Sequence, residues 1–275
     1  AFGVGPYWAT IAAYLLDALN RNGTLGKPAR IYNFGRSGYM SAQEQVLFHR
    51  LISAGVTADM VIFFDGLNDF CLHDGNPGGW QALAGFWERT NEEYQAQMAG
   101  YGVATPWNKL REFVQATALV RLFGALSRRL AEPPMPTYAA PAAIDEKAIG
   151  EDALHQVIDR YRRNMRQVQV VAEANGIVPV FVWQPIPTYK YDTQHHVFMP
   201  DRLTCHVNSK FGYPLAARMR HDMGLGRSFI WAADMQEDRK APLYIDAFHY
   251  TAPFSRDIAA FIAAELVQRG LLPDG

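Results

Sequence analysis

Met60-Val61-Ile62-Phe63-Phe64-Asp65-Gly66-Leu67-Asn68-Asp69 is the stretch on which the fold turns. Five apolar residues in a row, ending in a polar cluster, read as a strand buried on both faces, as the central strands of parallel sheets are. Asp65 to Asp69 then fall at the strand's C-terminal end, where open α/β sheets carry their sites. Gly66 and Asn68 tolerate left-handed backbone, so the plainer reading of this cluster is a sharp turn. The chemical reading is that an Asn just past a strand aims its amide N–H at a developing oxyanion. Asp65 and Asp69 read as makers of local turn hydrogen bonds rather than as catalysts.

The flanking sequence alternates between two periods. Arg30-Ile31-Tyr32-Asn33-Phe34 reads as a strand. The segment from Ser41 to Ala54 reads as a helix, with Ser41 as N-cap and Glu44 completing a capping box. Between Ala153 and Asn175, Leu154, Val157, Ile158, Tyr161, Met165, Val168 and Ala172 fall on one helical face, and Gly176 ends the run. Ile177 to Trp183 reads as the next strand, with Pro179 early enough to be tolerated, and Phe229-Ile230-Trp231 as a shorter one. At the start, Pro6 suits a first helical turn, and Trp8, Ile11, Ala12, Leu15, Leu16 and Leu19 come after it at helical spacing. Strands alternating with helices imply an α/β fold with a parallel sheet and right-handed crossovers.

A second motif lies far downstream, at Asp246-Ala247-Phe248-His249. An Asp and a His three apart on a loop act as one unit: the carboxylate orients the ring and fixes its tautomer, and the ring takes a proton from a nucleophile. Thr251 suits the N-cap of a terminal helix whose face is Ile258, Phe261, Ile262 and Leu266, with Gly270 at its stop. A D-x-x-H spacing is common by chance, so its force comes from the pairing with the upstream motif.

Taken together, three blocks resemble the SGNH hydrolases of the GDSL esterase/lipase superfamily. Gly66-x-Asn68-Asp69 is similar to that family's Asn block. Asp246-x-x-His249 before a terminal helix is similar to its last block, and Asn33-Phe34-Gly35-Arg36-Ser37-Gly38-Tyr39 to the glycine block after its second strand. The resemblance implies a three-layer α/β/α fold with a flavodoxin-like parallel sheet, and helical and loop segments inserted over the active-site edge. It implies ester hydrolysis through an acyl-enzyme, with His249 as base, Asp246 as its orienter, and the Asn68 amide and Gly38 N–H as oxyanion donors. Gly35 is the alternative to Gly38. No cofactor and no metal belong to that scheme. The blocks leave residues 72–145 and 186–228 unmatched, and these are expected as insertions within a single domain spanning 1–275.

The family's nucleophilic Ser lies at the end of its first strand, and Ala1-Phe2-Gly3-Val4-Gly5 resembles the segment just after that Ser. The sequence is therefore expected to begin just past the nucleophile. Any anchor or address that would make the protein extracytoplasmic is expected to lie further upstream still. Among the serines present, Ser37 comes nearest to a G-x-S-x-G elbow, but Tyr39 stands where the elbow needs Gly.

Composition narrows the classes further. At 275 residues, 49% hydrophobic and 19% charged, the chain can bury one large core. Its formal net charge of −1 gives no basis for a nucleic-acid or anionic-lipid partner. The partner expected is a small-molecule, lipid or carbohydrate ester. Cys71 and Cys205 either pair or stay as two thiols, since their spacing matches no metal or redox motif. His195, His196, His206 and His221 do not fall at zinc-ligand spacings and read as surface or pocket-wall residues, while His73 reads as a loop histidine or a substrate contact. Trp80, Trp87 and Trp107 would serve an acyl site or an ordinary core. Two rival functions use the same blocks: an O-acyltransferase, in which a sugar hydroxyl replaces water, and a non-catalytic binding module without the Ser.

Overall fold

The strands form where the apolar runs stand: β1 (Met60–Asp65), β2 (Val178–Trp183) and β3 (Phe229–Trp231), all parallel, in the order β1-β2-β3. The computed structural model describes residues 9–21, 25, 27–36, 38–71, 149–197 and 206–273. The chain divides into two compact units, Ala1–Gln81 with Glu146–Gly275, and Ala82–Asp145. The second unit, which holds most of the first expected insertion, lies outside the described residues, as do Trp80, Trp87, Trp107 and His73. So does any pairing of Cys71 with Cys205.

The described helices are α1 (Ile11–Arg21), α2 (Ser41–Ser53), α3 (Leu67–Cys71), α4 (Glu151–Ala174), α5 (His206–Met219) and α6 (Ala252–Gln268). Among them no helix is long and apolar enough to cross a membrane. Alternate residues of β2 enter different cores, as a period of two requires. Phe181 and Trp183 join a cluster with Phe48 of α2, Ile158, Tyr161 and Met165 of α4, and Tyr213 and Ala216 of α5. Val180 and Val182 join another with Leu15 and Leu19 of α1, and Ile258, Ile262 and Leu266 of α6. The protein is thus a mixed helix–strand fold around a small parallel sheet, compatible with an α/β class.

The ladder explains Pro179. Gln184 N–H donates to the Asp65 carbonyl and Ala232 N–H to the Trp183 carbonyl, so the even-numbered amides of β2 face β1 and the odd-numbered ones face β3. Pro179 therefore faces the β3 side, below the first β2–β3 pair at Phe181 and Phe229, where no partner strand waits for an N–H. The whole expected face of α4 is buried, from Leu154 to Ala172. A fully buried Ile158 or Val168 contributes about 1.5–3 kcal/mol through the removal of its side chain from water.

Three expectations need correction. Residues 30–34 form no strand: Tyr32 is 75% exposed and Phe34 50%, while Asn33 Oδ1 accepts the Gly35 N–H in a local turn that competes with any ladder. β1 is less enclosed than a strand covered on both faces, because it is an edge of the described sheet, and only Phe63 and Asp65 are buried along it. Ser41 is the first residue of α2 rather than its cap. Met40 holds the cap position, and Gln43 rather than Glu44 reaches back, its Oε1 accepting the Met40 N–H at 3.0 Å. The second expected insertion also contributes to the core, since α5 buries Tyr213, Leu215 and Ala216 beside α3 and α4.

Candidate active site

Asp246 to His249 occupy the tip of a short antiparallel hairpin closed by a bridge between Tyr244 and Tyr250. Ile245 N–H donates to the His249 carbonyl at 2.9 Å, and Thr251 N–H to the Leu243 carbonyl at 2.8 Å. Within the tip, Asp246 Oδ1 accepts the backbone N–H of Phe248 at 3.0 Å and of His249 at 2.7 Å. Its Oδ2 lies 2.5 Å from His249 Nδ1. An ionised carboxylate only accepts, so the ring presents Nδ1–H to it and Nε2 becomes the nitrogen able to take a proton. Burial works against the charged Asp246, but the two backbone donors and the ring outweigh it and hold the carboxyl below its usual range. Thr251 starts α6 as expected, its Oγ1 accepting the Phe254 N–H at 3.4 Å.

Tyrosines fasten this hairpin to the sheet. Tyr250 O–H donates to the Pro185 carbonyl at 2.7 Å and lies 3.1 Å from Gln184 Oε1, just past the end of β2. Its ring meets that of Phe64 edge-on at 6.2 Å. Tyr244 O–H donates to Gln236 Oε1 at 2.5 Å, and the Gln236 amide in turn donates to the Ile186 carbonyl at 2.6 Å. The Asp–His pair is therefore carried by the same end of the sheet from which Asn68 emerges.

Gly66 makes the turn out of β1. Its φ of +126° suits only glycine, and a Cβ there would meet Tyr213 Oη at 2.5 Å and the Trp183 ring at 3.2 Å. Asn68, on α3, donates from Nδ2 to the Tyr39 carbonyl at 2.7 Å. A primary amide has two such hydrogens, so one fixes the rotamer and the other is left for a ligand. The Tyr39 turn itself is closed by Tyr39 N–H donating to the Arg36 carbonyl at 3.3 Å, with Gly38 at φ +73°. Gly35 commits its N–H to Asn33, so of the two glycines Gly38 is the one whose N–H has no partner among the described residues. Ser37 lies outside them.

The remaining histidines divide. His195 ends a short 3-10 helix, with Nε2 3.7 Å from Asp192 Oδ2. The His196 ring stacks on Tyr244 at 5.3 Å, and burial lowers its pKa. Among the described residues no group of three His, Cys, Asp or Glu is placed to hold a metal.

A buried polar cluster behind Asn68 escaped the sequence reading. Asp69 bonds across the fold and not only within its own turn. It is fully buried and accepts from Ser41, Oγ–H at 2.5 Å and N–H at 3.4 Å. Asn164 of α4 donates to Ser41 Oγ at 3.1 Å, and Arg160 Nη2 to the Asp69 carbonyl at 3.4 Å. Asp65 is buried near Glu44, with no hydrogen-bond partner for Asp65 Oδ2 or Glu44 Oε2 among the described residues. Burial raises all three carboxyls, Glu44 to about 7 and Asp65 well above its ordinary value; Ser41 and Arg160 oppose this at Asp69. One sign was present in the sequence: Arg160 and Asn164 lie four apart next to the apolar face of α4, where a charge requires a buried partner.

No family model matches the chain, and no curated protein matches it.

Proposed function

We propose that the protein is a serine-type carboxylic ester hydrolase with the three-layer α/β/α arrangement of the SGNH hydrolases. The observation that carries this reading is the Asp246–His249 pair, bonded at 2.5 Å and fastened to the sheet end that bears Asn68. The apolar layers on either side of β2 fit the same arrangement. A serine attacks the acyl carbonyl, and His249 Nε2 takes its proton and later returns it to the leaving alkoxide. Asp246 holds the ring and stabilises its charged form. The free Asn68 amide hydrogen and the Gly38 N–H meet the tetrahedral oxyanion. Water then releases the acid from the acyl-enzyme.

Ser41 is not that serine, because it is buried and its proton is directed at Asp69. The test is hydrolysis of a short-chain aryl ester together with labelling by a serine-directed phosphonate, the labelled residue being located by mass spectrometry. Turnover and one labelled serine, both lost in His249→Ala, support the reading. Because the nucleophile is expected upstream of Ala1, the test uses the full-length protein, and a folded full-length protein that neither turns over nor labels refutes the reading and favours the binding module.

A further inference from the structure

We propose that Asp69 is a positioning residue for the oxyanion donors: acting through Ser41, its carboxylate holds the turn at residues 38–40 against the Asn68 amide. Its kinetic consequence rests on the hydrolase reading; its geometric consequence does not.

The hydrogen bonds run in one direction. Asn164 donates to Ser41 Oγ, so the single hydroxyl proton of Ser41 is left to point at Asp69 Oδ1. Ser41 N–H donates to the other oxygen, Oδ2. Asp69 is thus used as an acceptor at both oxygens, the pattern of an ionised carboxylate. The groups facing it are Ser41 and Glu44 on α2, Asp65 at the end of β1, Arg160 and Tyr161 on α4, and Tyr213 on α5. Among the described residues Arg160 supplies positive charge to Asp69.

Three consecutive residues are pinned as a result. The Tyr39 carbonyl takes the Asn68 amide, Met40 N–H donates to Gln43, and Ser41 is held by Asp69. Asn68 and Asp69 are neighbours on the five-residue helix α3, so the clamp and the donor it serves share one stretch of backbone. Releasing Ser41 frees the Tyr39 carbonyl, and with it the anchor that sets the Asn68 rotamer. Misplacement of a catalytic donor by about 1 Å costs on the order of 10²-fold in rate.

The experiment uses the ¹⁵N-labelled chain and two variants, Asp69→Asn and Ser41→Ala. Side-chain amide exchange at Asn68 is followed by NMR, with the His249 Nδ1 proton as internal control. Exchange at Asn68 should quicken about 10-fold or more in both variants, while the His249 proton stays put. On an aryl ester, kcat should fall roughly 10- to 100-fold with KM within about twofold. Unchanged Asn68 exchange in a folded variant overturns the proposal, and so does unchanged kcat in a variant whose exchange has quickened. Should Asp69→Asn fail to fold, Ser41→Ala, which deletes one hydroxyl, decides. The kinetic arm uses the full-length protein; a full-length parent with no turnover refutes the hydrolase reading alone, and the exchange measurement then decides the positioning.

Discussion

The Asp246 side chain finds its partners no more than three residues along the chain, whereas the side chains of Asn68 and Asp69 find theirs 28 or 29 residues away. The Asp–His tip is a local object. Its carboxylate gathers two backbone N–H groups and a ring within one hairpin, and the rest of the protein only decides where that hairpin sits. The oxyanion side is a tertiary object, assembled from α2, the end of β1, α3 and α4. The two halves of one proposed site should therefore fail differently: the first by losing chemistry while the fold stands, the second by losing geometry when distant contacts change.

The largest effect should come from the local half. His249→Ala should abolish ester turnover, and Asp246→Asn should lower kcat by about 10⁴ because the ring then adopts the wrong tautomer. Both side chains are partly exposed, so circular dichroism melts should stay close to the parent. A large drop in Tm would show that the tip is structural and erase the contrast. Next, Asn68→Ala should lower kcat by about 10²–10³. Activity that survives while stability falls would make Asn68 a mere tie to Tyr39.

A smaller effect concerns pH. Glu44 holds its proton to about pH 7 in the folded chain, against an ordinary value of 4.5. Between those values the unfolded chain binds fewer protons than the folded one, so stability falls as pH rises through that window and stays low above it. Glu44→Gln cannot ionise. It should flatten the slope and melt higher than the parent at pH 8 by about 3–8 °C, with little difference near pH 4.5. A slope unchanged by the substitution would show that Glu44 is not among the groups titrating. The smallest effect belongs to Thr251→Ala, which removes the N-cap of α6 and should cost about 1 kcal/mol in urea unfolding without altering the Asp246–His249 bond.

The same contrast explains which features were legible in the sequence. The face of α4, the run of β2, the three residues of β3 and the Thr251 cap all arise from periodicity and punctuation, which are local properties of sequence. The Asp246–His249 pairing was legible for the same reason. Residues 30–34 misled because Ile31, Tyr32 and Phe34 carry strand propensity, while a strand also needs a neighbouring ladder, and Asn33 bonds Gly35 instead. Ser41 and Glu44 fit a capping box three residues apart, yet burial turned both toward carboxylates from other elements. Nothing in an Asp-x-x-x-Asp spacing announces that one acid will be buried near a Glu and the other bonded to a Ser. Such pairings arise only once three helices and a strand have met. α5 was equally hard to place, since Gly212 and Pro214 discourage a helix in isolation, and Gly212 is needed because Phe70 lies against it.

The stacked indoles of Trp183 and Trp231, 6.0 Å apart and 14° from parallel, give this site an optical voice. Two indoles so close and so nearly coplanar couple their transitions, so they should add a distinct signal to the near-ultraviolet circular dichroism of the protein. Trp183 also touches the space that a side chain at Gly66 would occupy. Any shift of the turn carrying Asn68 therefore reaches this chromophore directly, and spectroscopy without an added label can track the oxyanion side as it forms during refolding.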